Sequence, residues 1–135
     1  MGDATTILLV EDEPLLRRAF RTLLEASGYR VSEAGSAAEA LDRAAADAPD
    51  LVLLDLGLPD RNGLEIVNEL RLRAGRPGMP VVAMTGRSGP DAARACEEAG
   101  CADHLIKPIA PLALVRRIPD WLAPPARGAR AESPA

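Results

Sequence analysis

Three stretches of the chain, TILLV (6–10), LVLLD (51–55) and VVAM (81–84), are almost unbroken apolar runs of about strand length. Runs so short point to strands rather than buried helices, and strands apolar on both faces must be covered on both. Two weaker extended stretches, YRVSEA (29–34) and ADHLI (102–106), bring the number of expected strands to five.

The segments between them carry helical periodicity. Pro14 opens the first, which sets Leu16, Phe20, Leu23 and Leu24 on one stripe up to Gly28. Ser36 and Glu39 have the spacing of a capping box, and the helix they open is expected to bury Ala40, Leu41 and Ala44. A third helix follows Gly63 with Leu64, Val67 and Leu70, and a fourth runs from Pro90 to Gly100 with Ala92, Ala93 and Cys96 inward. A fifth starts at Pro111 with Leu112, Val115 and Ile118, and Pro119 is expected to break or kink it. Strands alternating with helices in this way specify an α/β fold, a doubly wound parallel sheet with right-handed crossovers. We assign residues 1–122 to one domain and read 123–135, rich in Pro, Ala and Arg without an apolar period, as a disordered tail.

Composition narrows the function. A chain of 135 residues with 47% hydrophobic and 27% charged residues is a single globular domain. The aromatic residues are Phe20, Tyr29 and Trp121, so the core must be aliphatic. Sixteen basic against 20 acidic residues give a net charge of −4, with no long basic run, which disfavours nucleic-acid binding. No apolar stretch approaches the roughly 20 residues of a membrane span, and no secretory signal is recognisable, so a cytoplasmic location is expected. The opening MGDATT fits a loose myristoylation pattern that chance also produces. Cys96 and Cys101 lack metal-site or redox-motif spacing and are expected to be small buried thiols. Lys107 is the chain's single lysine among 16 basic residues, which marks it for chemistry that needs a compact ammonium.

In a doubly wound sheet the ligand site lies beyond the carboxyl ends of the strands. Following each strand to that end gives Glu11 and Asp12 after the first, Asp55 after the third, Thr85 after the fourth and Lys107 after the fifth. Taken singly these have plain explanations: acids favour a helix N-terminus, threonine suits a turn, and a lysine before Pro108 is a solvated charge. Taken together they form a site for a hard divalent cation and a phosphoryl group. Mg²⁺ takes carboxylate, phosphate and water oxygens, lysine offsets phosphoryl charge, a hydroxyl donates to it, and one carboxylate can act as nucleophile.

With these residues placed, ILLVEDEP, DLVLLDLGLPDRNGLE, VVAMTGR and GCADHLIKPI resemble the response-regulator receiver domain of two-component signalling, over roughly residues 5 to 118. Residue types and separations match together: 43, 30 and 22 positions between Asp12, Asp55, Thr85 and Lys107. The resemblance implies a flavodoxin-like sheet of order 2-1-3-4-5. It also implies Asp55 as phosphoacceptor, accepting a phosphoryl group from the phosphohistidine of a histidine kinase or histidine phosphotransfer protein. Asp12 would ligate Mg²⁺ directly and Glu11 through water, with Asp55 and the carbonyl of Gly57 completing the protein ligands. Lys107 would neutralise the phosphoryl group and Thr85 would hydrogen-bond it. Thr85 and the loop containing Gly86 and Gly89 would then rearrange.

Two features depart from the common pattern. His104 stands where the family usually has a rotating Tyr or Phe, so it is either a switch imidazole or a surface histidine. Gly57 and Arg87 occupy the positions that tune acyl-phosphate lifetime, and a glycine leaves that task to Arg87. Thirteen residues after Leu122 leave no room for an output domain, so output is expected through a protein contact or onward phosphotransfer. The rival readings are a receiver segment of a hybrid histidine kinase, an aspartyl-phosphate phosphohydrolase, and an unphosphorylated binding module of the same fold. Gly57, where such a hydrolase usually carries a second acid, weighs against the hydrolase.

Overall fold

A computed structural model describes residues 4–123. Residues 1–3 of the myristoylation pattern and nearly all of the proposed tail lie outside the described residues. The elements are β1 (Thr6–Val10), α1 (Pro14–Ala26), β2 (Arg30–Ala34), α2 (Ala37–Asp47), β3 (Leu51–Asp55), a 3₁₀ turn (Gly63–Ile66), α3 (Val67–Ala74), β4 (Val81–Thr85), α4 (Pro90–Ala99), β5 (Asp103–Ile106) and α5 (Pro111–Leu122). The five strands are all parallel, in the order β2-β1-β3-β4-β5.

The apolar runs become the central strands because only there are both faces covered. β3 and β4 are buried throughout, and β1 is buried from Ile7 onward. Alternate strand residues feed two cores. Leu8, Val10, Val52 and Leu54 meet α2 and α3 through Ala40, Leu41, Ala44, Val67 and Leu70. Ile7, Leu9, Leu51, Leu53 and Met84 meet α1 and α5 through Phe20, Leu24, Leu114 and Ile118. The central order reversal between β1 and β3 follows from helices on both faces, and it opens a crevice at the carboxyl edge.

Several local expectations hold and several are corrected. Ser36 caps α2, its hydroxyl accepting the Glu39 N–H at 3.1 Å. The Glu39 carboxylate, however, accepts from Gly35 rather than from Ser36. The third helix begins with a 3₁₀ turn that closes on the end of β3, so Leu64 is only half-buried while Val67 and Leu70 are fully buried. Cys101 is half-buried rather than buried, since it stands in the connection beyond α4. Pro119 does not break α5, which continues to Leu122. Its ring lies on the exposed side of the helix, where water can satisfy the carbonyl that loses its donor, while Ile118 and Trp121 hold the other side to the core. The buried positions of α5 are Leu114 and Ile118; Leu112 is 63% exposed.

Candidate functional site

The carboxyl ends of β1, β3, β4 and β5 deliver Glu11, Asp55, Thr85 and Lys107 to one cleft of about 830 Å³, together with Asp12, Gly57, Gly86 and Arg87. Burial is uneven in a telling way. Glu11, Asp55 and Thr85 are the buried polar side chains among the described residues, at 1%, 4% and 7% exposure, whereas Asp12 is exposed.

The three consecutive acids after β1, Glu11, Asp12 and Glu13, divide their labour. Glu13 caps α1, its carboxylate accepting the N–H groups of Leu15 and Leu16 at 2.9 and 3.3 Å. Glu11 and Asp12 instead join Asp55: a carboxylate oxygen from each of the three lies within 4.8 Å of the others. One cation answers them. Lys107 Nζ stands 3.2 Å from Glu11 Oε1 and 3.2 Å from Asp55 Oδ1. Gly57 N–H adds a donor to Asp55 Oδ1 at 3.0 Å, and Glu13 N–H donates to Glu11 Oε2 at 3.1 Å.

Burial raises the Glu11 carboxyl above the usual carboxylate range; the Glu13 amide opposes this, Asp55 adds to it, and Lys107 again opposes it. Burial alone would lower the Lys107 ammonium, but the Asp55 and Glu11 charges more than offset this and leave it raised. Lys107 is therefore firmly charged, yet one positive charge among three carboxylates leaves the site negative.

The donor set fits a hard divalent cation. All candidate ligand atoms are oxygens, they converge from the loop after β1 and the end of β3, and their excess negative charge has no second cationic side chain within salt-bridge distance among the described residues. Thr85 Oγ1 accepts the Arg87 N–H at 3.0 Å, which leaves its proton available to a ligand. The peptide bond between Lys107 and Pro108 is cis, and Lys107 N–H donates to the Thr85 carbonyl at 2.7 Å, tying the fourth and fifth strand ends together.

Of the residues singled out from the sequence, His104 stands apart. It is half-buried in β5, in register with Ala83, and does not line the cleft. Three supporting residues escape sequence reasoning because their partners are distant. Arg17 donates to the Glu11 carbonyl at 2.8 Å and pairs with Glu33 at 3.2 Å, fixing the acidic loop against β2. Asp60 accepts the N–H groups of Ala37 and Ala38 at 2.8 and 3.0 Å, fastening the loop after β3 to the start of α2, and those bonds hold its carboxyl below the ordinary range. At Gly63 a Cβ would come within 2.8 Å of the Asp55 carbonyl oxygen, so glycine is what lets the 3₁₀ turn close on the strand end. The sequence signal for Gly63 is its place in NGLE, which a helix start alone also explains.

Comparison with known proteins agrees with this geometry. The model of the response regulator receiver domain family matches residues 7–119. The chain is 43% identical over 104 residues to the KDP operon transcriptional regulatory protein KdpE of Escherichia coli, covering 77% of this chain and 45% of that protein. It thus spans less than half of that relative. It is 34% identical over 117 residues to the polar-differentiation response regulator DivK of Brucella ovis, covering 87% of this chain and 95% of DivK. Among solved structures, a CheY-like response regulator receiver domain from Methanospirillum hungatei superposes with a TM-score of 0.81 at 29% identity, covering 89% of this chain and 94% of the other.

Proposed function

The chain belongs to the response regulator receiver domain family, and we propose from that premise that it is a switch driven by phosphorylation of Asp55. Asp55 Oδ1 is held by Lys107 and Gly57 N–H, while Oδ2 makes no hydrogen bond among the described residues and Asp55 borders the cleft. Oδ2 is therefore the nucleophile. It attacks the phosphorus of a phosphohistidine on a histidine kinase or histidine phosphotransfer protein; the O–P bond forms as the N–P bond breaks, and the imidazole nitrogen leaves with the electron pair. Lys107 Nζ neutralises developing charge on the phosphoryl oxygens, and the Thr85 hydroxyl donates to one of them once the group has transferred.

Asp12, Asp55, the Gly57 carbonyl and, through water, Glu11 would hold Mg²⁺, which supplies charge neutralisation and orientation of the phosphoryl oxygens when bound. The drawing of Thr85 toward the phosphoryl group moves the loop through Gly86, and His104 and Arg87 are the residues we assign to relaying the change and setting its lifetime. A changed rate of phosphate loss in Arg87→Ala is the expected result for the latter. Hydrolysis of Asp55 phosphate resets the switch, and the chain acts as a signalling domain rather than an enzyme on an outside substrate. Its location is the cytoplasm, and its output a contact with a downstream protein or onward phosphotransfer. The net charge of −4 weighs against nucleic acid as a partner of this domain.

One observation carries this reading: a single ammonium 3.2 Å from two buried carboxylates, with a third carboxylate beside them. Incubation with acetyl phosphate or phosphoramidate and Mg²⁺, followed by intact mass measurement, should add one phosphoryl group to the chain. Asp55→Asn should keep the fold and lose the addition entirely. Continued labelling of that variant would remove Asp55 from its role.

A further inference from the structure

The turn that ends α4 places the chain's two cysteines together. Gly100 takes a φ of 96°, its N–H donates to the Glu97 carbonyl at 3.0 Å, and Cys101 N–H reaches back to the Cys96 carbonyl at 3.0 Å. That pair of bonds is a Schellman motif, whose geometry brings the side chains of the two residues joined by the longer bond into contact. Those residues are Cys96 and Cys101, joined through the Cys101 N–H and the Cys96 carbonyl. Cys96 is buried and Cys101 half-buried, packed against the core cluster of α2 and α3, so Cys101 is the more exposed residue of the two. The Arg71 guanidinium, which donates to the Gly100 and Met79 carbonyls at 2.7 and 2.8 Å, braces the turn from α3.

We propose that Cys96 and Cys101 are a modification site, forming a reversible intrachain disulfide by exchange with a low-molecular-weight disulfide and so pinning the end of α4 to the entry of β5. In the first step the Cys101 sulfur, having lost its proton, attacks one sulfur of the reagent, breaking that S–S bond and releasing one thiolate, which takes up the proton. In the second, Cys96 loses its proton and attacks the Cys101 sulfur. The new S–S bond forms as the second thiolate leaves and is protonated, so two protein thiols are oxidised and the reagent is reduced to two thiols. Burial pushes the Cys101 thiol up to about 11, against the pull of Arg71, so the exchange is slow at neutral pH. In a reducing compartment such a bond is transient and reports a sustained oxidising shift.

The bond has a mechanical consequence because Cys96 is the single buried residue of α4 and lines the same cleft as Asp55 and Thr85. Cys96 is the most deeply held point of the helix beside the site, Ala99 packing less deeply against the core, and oxidation makes that point covalent. An effect on phosphorylation-driven rearrangement rests on the proposed switch; the bond itself does not.

The test uses the full chain incubated with oxidised glutathione at neutral pH and digested without reduction by a protease that cuts after glutamate. Glu97 and Glu98 lie between the cysteines, so the two fragments should stay joined, and should separate on reduction. Cys96→Ser should accumulate one glutathione on Cys101, and Cys101→Ser should stay unmodified. In the oxidised wild type, amide exchange at the end of α4 should slow. Two free thiols, glutathione on both cysteines, or a bond between two chains would overturn the proposal on the wild type alone, whatever the variants do. Unchanged exchange in an oxidised chain would overturn the pinning, and Asp55 labelling can be measured separately on the same reduced sample.

Discussion

The two ends of the sheet treat charge in opposite ways. At the amino edge, Asp50 stands before β3 with each oxygen matched: Oδ2 accepts the Thr6 N–H at 2.9 Å and Oδ1 meets Arg76 at 3.1 Å. One carboxylate, one backbone donor and one guanidinium form a closed set that simply fastens β1, β3 and the approach to β4. At the carboxyl edge, three carboxylates share one ammonium, and two of the three are buried. A buried carboxylate left short of partners weakens a fold, so this edge gives up stability that the other edge keeps. The difference teaches where an outside charge is expected: where the protein has left its own account unbalanced.

The largest way to break this comparison is at Lys107. Lys107→Ala should slow phosphorylation of Asp55 by about 10²-fold or more, since it removes the one fixed positive charge at the reacting oxygens; a time course with acetyl phosphate measures this. Gly63→Ala attacks the backbone that shapes the carboxyl edge. Its Cβ meets the Asp55 carbonyl at 2.8 Å, and overpacking of this kind should cost about 1–3 kcal/mol in urea unfolding. At the amino edge Asp50→Ala should cost about 1 kcal/mol and leave the phosphorylation rate unchanged, because its interactions hold strands and touch nothing reactive. An altered rate there would blur the two ends.

The smallest effect is in pH. Glu11 is raised by burial, so its contribution to stability is complete below the unfolded value, about 4.5, and lost as pH rises through the higher folded value. Relative to Glu11→Gln, the wild type should therefore gain stability as pH falls from neutral toward 4.5, measured by urea unfolding across that range. Asp60, lowered by its amide bonds, works the other way and only below the ordinary aspartate range.

The same contrast explains what the sequence could tell. The central strands were legible because burial on both faces forces continuous apolar runs, and the carboxyl-edge residues were legible because each ends or directly follows its strand. Pro119 does not break α5, because a local rule about helix interiors ignores which side of the helix faces water. Leu112 misled because an exposed apolar residue at a helix start has the same letter as a buried one. Arg17, Asp60 and Gly63 stayed hidden for a different reason: each acts on a partner brought near only by the finished fold, such as Ala37 for Asp60.

The central claim is that the carboxyl edge carries unbalanced negative charge that a divalent cation completes. Asp12 supplies one of those charges while forming no ion pair among the described residues, so Asp12→Asn removes charge without breaking a bond. Thermal unfolding of wild type and Asp12→Asn, each with and without Mg²⁺, compares them directly. The account predicts that Mg²⁺ raises the wild-type midpoint by several degrees, and that Asp12→Asn is at least as stable without the ion and largely insensitive to it. A wild-type midpoint indifferent to Mg²⁺, or an equal shift in both proteins, would contradict it.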